Sequence, residues 1–72
     1  FDLPHAGRTR LMIYDVRGRL VKTLVSQDMP QGRHEVTWLG KDDSGRQVAS
    51  GVYYYRIQSG TFTAVKAMTL LK

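Results

Sequence analysis

Apolar and polar positions alternate with period two through most of this chain, and glycines separate the runs. Thr9, Leu11 and Ile13 fall on one face of a predicted strand over 9–14, and Arg10, Met12 and Tyr14 fall on the other. Phe1 to Leu3 reads as the tail of a strand that Pro4 ends. Asp15-Val16-Arg17-Gly18 reads as a tight turn, because Asp bonds the backbone ahead of it and Gly adopts positive φ. Leu20 to Val25 returns as the hairpin partner. Ser26 to Gly32 reads as a polar loop carrying Pro30. Glu35 to Leu39 is the next predicted strand, with His34, Val36 and Trp38 on one face. Asp42-Asp43-Ser44-Gly45 is a second turn, and Gln47 to Ala49 a short strand or edge. Gly51 to Gln58 is rich in Val, Tyr and Ile, the composition of a strand. Ser59-Gly60 then turns into a last strand over 61–71. No 3.6-residue period competes with this pattern.

About seven short strands with turn signals between them predict an all-β, immunoglobulin-like (fibronectin-III-like) antiparallel sandwich. The predicted core is Leu11, Ile13, Leu20, Leu24, Val36, Trp38, Val48, Tyr53, Tyr55, Ile57, Phe62, Met68 and Leu70. Arg10, on the Met12 and Tyr14 face, is expected to meet solvent with its stem along the sheet.

The length of 72 residues allows one module, over 1–72. A chain of this size buries only about 60% of its unfolded surface, which leaves little room for a deep catalytic cleft. Without cysteine there is no disulfide and no thiolate zinc site. No apolar run approaches the roughly 20 residues of a membrane-spanning helix. The opening Phe1-Asp2-Leu3-Pro4 has neither the basic start nor the apolar stretch of a signal peptide. The expectation is therefore a piece of a longer exported protein with its signal upstream. The formal charge of +5 invites nucleic acid as a partner, but the basic residues are scattered singly and no binding motif accompanies them. After Asp43 there is no acidic residue, so the end of the chain carries only positive charge.

Candidate chemistry is sparse. His5 and His34 are the only histidines, Ala49-Ser50-Gly51 is not a nucleophile elbow, and Glu35 is the one acid centred on a predicted strand. No nucleophile, base and orienter can be named, so the expectation is a non-catalytic protein without cofactor. Asp42, Asp43 and Ser44 offer oxygens that suit calcium, but Asp, Ser and Gly are also the ordinary residues of a β-turn. Tyr53, Tyr54 and Tyr55 alternate faces, so they do not form one stacking platform. Tyr53 is placed to act as a tyrosine-corner hydrogen bonder, and Trp38 as a core aromatic. Tyr54 and Arg56 share the opposite face as possible ligand-facing residues.

The ordered set of residues resembles a known module. It comprises Phe1-Asp2-Leu3-Pro4, Leu11-Met12-Ile13-Tyr14-Asp15, the run from Gly18 to Val25, and Gly32-Arg33-His34-Glu35-Val36-Thr37-Trp38. It continues through Asp42-Asp43-Ser44-Gly45, Val48 to Arg56, and Lys66 to Lys72. This pattern is similar to the flagellar-hook-cap immunoglobulin-like domain family. It is also similar to the C-terminal sorting domains of the type IX (Por) secretion system. Two departures stand out: an Asn-Pro-rich segment and first strand usually precede the Phe-x-Leu-Pro, and Leu39 stands where the family commonly has Asp. The sorting-domain resemblance implies a sorting and cell-surface attachment module behind an N-terminal cargo domain. Its partners would be the outer-membrane secretion machinery and a cell-surface transpeptidase. Its location would be secreted or cell-surface, reached through the periplasm. Lys66, Met68, Leu70, Leu71 and Lys72 are the expected partner-recognition residues, since the basic, acid-free end presents a distinct face. The hook-cap resemblance implies a structural or assembly module. A carbohydrate-binding accessory built on Tyr54, Arg56 and Trp38 is the third expectation.

Overall fold

The computed structural model describes residues 1–71, and every regular element in them is a β-strand. The elements are β1 (Asp2–Leu3), β2 (Gly7–Tyr14), β3 (Leu20–Met29), β4 (Gly32–Arg33), β5 (Gly51–Ser59) and β6 (Phe62–Leu70). Four of them form one antiparallel sheet in the order β3-β2-β5-β6, and β1 pairs with β4 in a separate two-stranded ladder.

The Asp15 turn forms as its residues predict. The Gly18 amide bonds the Asp15 carbonyl at 3.0 Å. The Asp15 carboxylate accepts the amides of Arg17 and Arg19 at 2.9 and 3.0 Å. Gly18 has φ of 82°, a conformation that costs an ordinary residue about 1–2 kcal/mol. β5 and β6 are joined through Gly60 and Thr61, with Ser59 opposite Phe62.

The alternation in β2 buries Thr9, Leu11 and Ile13. Leu11 packs with Ile57 from β5 and with Leu3 from β1, so the small ladder lies over this face of the sheet. Phe1, Leu24, Val25, Met29, Tyr55 and Phe62 close around that cluster. Each fully buried aliphatic side chain here contributes roughly 1.5–3 kcal/mol. Thr9 is fully buried, and its hydroxyl bonds the Gly7 carbonyl at 3.1 Å and the Ser59 hydroxyl at 3.2 Å.

Several expectations are corrected. Six strands form among the described residues rather than about seven. Glu35–Leu39 forms no strand among the described residues, whose backbones make no hydrogen bond to it. Phe1 and His34 exchange both backbone hydrogen bonds, at 2.8 and 2.7 Å, which adds one pair to the β1–β4 ladder. Gln47–Ala49 supplies only one bridge, Gln47 to Lys41, which closes the Asp42 turn. Residues 26–29 extend β3 instead of looping, because they pair with residues 7–10 of β2.

Leu20 leaves the predicted core. It is 50% exposed, beside a register shift between Ile13 and Tyr14 that turns the end of β3 outward. Val36 is exposed because the unpaired segment around it has no ladder to direct its side chain inward. Met12 departs in the opposite sense and is only 4% exposed on the face expected to meet solvent. It sits on a central strand, with Thr23 opposite on β3, Arg56 opposite on β5, and the Tyr14 hydroxyl 3.4 Å from its sulfur.

Candidate functional site

The two sets of residues that the sequence marks stand on opposite faces of the four-stranded sheet. The β5–β6 register pairs Tyr53 with Met68, Tyr55 with Lys66 and Ile57 with Ala64. These residues, with Phe62 and Leu70, share the face that β1 covers. The same register pairs Val52 with Thr69, Tyr54 with Ala67 and Arg56 with Val65. Those residues form the outer face, which no second layer covers among the described residues.

On the inner side, Met68 and Leu70 are half-buried and Lys66 is exposed. Leu71 follows the strand and is 83% exposed. Lys72 lies outside the described residues. Of the four expected partner-recognition residues that are described, Lys66, Met68 and Leu70 share the inner face, where Met68 and Leu70 anchor β6 to the core, and Lys66 and Leu71 reach solvent.

Tyr54 and Arg56 do come together. With Tyr14, Asp15 and Val65 they line a shallow depression of about 490 Å³ on the outer face. Val52, Tyr54 and Val65 give this face an apolar character. The Asp15 carboxylate at its margin is already engaged, with Arg19 Nε at 3.2 Å as well as the two turn amides. Those bonds, the Arg19 amide foremost, hold its pKa below the ordinary carboxylate value. Among the described residues no carboxylate lies within ion-pair distance of Arg56 or Lys66.

Trp38 is on the other side of the sheet from Tyr54. Its ring meets Tyr53 edge-on, with centroids 5.0 Å apart, and its indole N–H donates to the Lys41 carbonyl at 2.8 Å. Tyr53 donates its hydroxyl to the Ala49 carbonyl at 2.7 Å, four residues upstream, as a tyrosine corner does. A second groove, of about 420 Å³, runs between the sheet and the unpaired segment over 34–38. Leu11, Ile13, Leu24, Tyr55 and Met68 form its floor.

The remaining candidates are occupied by local structure. Asp42 Oδ1 accepts the Ser44 hydroxyl at 2.7 Å and the amides of Ser44 and Arg46 at 3.0 Å each. These bonds, the Ser44 hydroxyl first among them, lower its pKa. Asp43 reaches back to β3, taking the Thr23 amide at 3.2 Å and Lys22 Nζ at 3.7 Å. The His34 ring contacts the Pro30 carbonyl at 2.7 Å and lies against Phe1. Neither histidine ring bonds a serine or a carboxylate among the described residues. Sequence reasoning placed Met12 on the outer face but missed its burial, and it did not single out Val65. Their period-two positions were visible, but their neighbours depend on the order of strands in the sheet.

A family model described as the FlgD Ig-like domain matches residues 2–62, from β1 to the first residue of β6. This agrees with the hook-cap side of the resemblance and does not extend to the sorting-domain side. No curated protein and no solved structure matches the chain.

Proposed function

The chain belongs to the FlgD Ig-like domain family, and on that premise we propose that it is a non-catalytic structural module that works in assembly, as a piece of a flagellar hook apparatus. The small β1–β4 ladder and residues 34–50 serve as part of the second layer of an immunoglobulin-like sandwich. The observation that supports the assembly role is the uncovered outer face. A four-stranded sheet normally buries one face and wets the other with polar side chains. Here Val52, Tyr54 and Val65 are 43, 38 and 58% exposed on that face, and Tyr54 and Val65 line one depression with Tyr14 and Arg56. Apolar groups gathered in this way favour contact with another protein surface.

The test replaces Tyr54 and Val65 together by Asp in the organism that encodes the chain, with hooks counted by electron microscopy. The main core cluster lies on the other face, so the variant, once shown to be folded by circular dichroism, is expected to lose hook assembly. Full assembly in a folded, expressed variant refutes the reading. The alternative, export and surface attachment, rests on the ordered residues quoted above. It predicts normal hooks but failure of an attached protein to reach the cell surface.

A further inference from the structure

The two edges of the main sheet are built differently. β3 is protected: it carries two register shifts, and the 41–47 loop bonds it through the Asp43 amide to the Val21 carbonyl and the Asp43 carboxylate to the Thr23 amide. Bulges and covering loops are ordinary ways to stop an edge from pairing with another chain. β6 has neither. It runs nine residues in unbroken register with β5, without proline, and among the described residues its backbone bonds no other segment.

One charge sits on that edge, Lys66 at its centre, exposed and without an acidic neighbour. Its position selects between partners. A second copy pairing antiparallel over the full length of β6, and so centred on Lys66, would set Lys66 against Lys66, and like charges directly opposite are destabilising. The formal charge of +5 on each copy adds repulsion. An acidic residue at the same point would instead meet an unpaired ammonium.

We infer that β6 accepts an extended segment of another protein as a fifth strand, and that this segment carries an Asp or Glu opposite Lys66 between apolar residues two positions to either side. Those flanking residues lie beside Ala64 and Met68. The mode is strand addition, in which main-chain hydrogen bonds supply affinity and alternate side chains supply specificity. The single lysine both discourages self-pairing and selects the acidic strand. The inference rests on the reading of this domain as one that works through its contacts. Its test uses a different surface from the Tyr54 and Val65 variant, so either can fail alone.

The probe is a nine-residue peptide of alternating Val and Thr with a central Glu, acetylated and amidated, titrated into the 72-residue chain. Binding is expected to slow amide exchange at alternate residues of Phe62–Leu70 and nowhere else. Lys66→Glu is expected to weaken this peptide about five-fold and to strengthen a central-Lys peptide by a similar factor. A peptide N-methylated along its pairing edge is expected not to bind. The inference is overturned by absence of binding, by affinity indifferent to the charge exchange, or by equal binding of the N-methylated peptide. Self-association of the chain with protection of β6 overturns it in favour of a second copy.

Discussion

Replacing Tyr53 by Phe removes one oxygen and nothing else, which makes it the sharpest probe of how the 34–50 segment is held on the sheet. The Tyr53 side chain is almost fully buried at the start of β5, and its hydroxyl donates to the Ala49 carbonyl at 2.7 Å. Its ring meets Trp38 edge-on at 5.0 Å, and Trp38 in turn holds the Lys41 carbonyl through its indole N–H. A neutral hydrogen bond of this kind contributes about 1 kcal/mol net. Ala49 is exposed, so its carbonyl regains water in the variant and the loss stays near that figure. Tyr53→Phe is therefore expected to cost about 1 kcal/mol, which for a domain of this size lowers Tm by roughly 4–8 °C.

Tyr53→Leu removes the aromatic contact as well, worth a further 0.5–1.5 kcal/mol or so, and leaves unfilled space beside Trp38. Urea titration followed by far-ultraviolet circular dichroism gives both values, with an unchanged slope as the condition for comparing midpoints. Trp38 is the only tryptophan, so its fluorescence reports the same transition locally. A double-mutant cycle with Trp38→Leu isolates the ring pair, and a coupling of about 0.5–1.5 kcal/mol is expected. Unchanged midpoints for both Tyr53 variants, or zero coupling in the cycle, refute the claim that this corner ties the segment to the sheet.

Three further outcomes follow from other contacts. Thr9→Val leaves the Ser59 hydroxyl without its buried partner and is expected to cost about 1–3 kcal/mol in urea titration, with Thr9→Val plus Ser59→Ala recovering part of it. Gly40→Ala forces a Cβ to within 3.3 Å of Leu70 Cδ2 at φ of 74°, so a loss of roughly 1 kcal/mol or more is expected; Leu70→Ala relieves the contact but not the backbone strain. Asp15 and Asp42 have lowered pKa values in the folded chain, so in acid the unfolded chain binds protons that the folded chain resists. Their stabilisation is fully present above about pH 4 and is lost as pH falls through the folded values; Asp15→Asn plus Asp42→Asn is expected to flatten a Tm profile there and leave its neutral-pH slope unchanged.

What the sequence disclosed follows a physical division between local and distant causes. The Asp15 and Asp42 turns were legible because a carboxylate that bonds amides two and four residues ahead needs nothing from elsewhere in the chain. Tyr53 as a hydrogen bonder was legible for the same reason, since its acceptor lies four residues upstream. The faces of β2, β5 and β6 were legible because alternation is a property of each strand alone. The expectation failed wherever a residue's state depends on what stands beside its strand. Glu35–Leu39 has the composition of a strand, but among the described residues no backbone pairs with it, so its alternation decides nothing. Leu20 has the composition of a core residue, but a register shift between two strands turns it outward. Met12 reads as a surface residue, yet it is covered because its strand lies between two others. The same limit governs the candidate site. Lys66, Met68 and Leu70 could be placed on one face from their spacing, and Tyr54 and Arg56 on the opposite one. That β6 is the strand left open at the sheet's edge could not be read from residues 62–70. Their composition would suit an interior strand equally well, and only the order β3-β2-β5-β6 leaves Lys66 on a boundary where another chain can meet it.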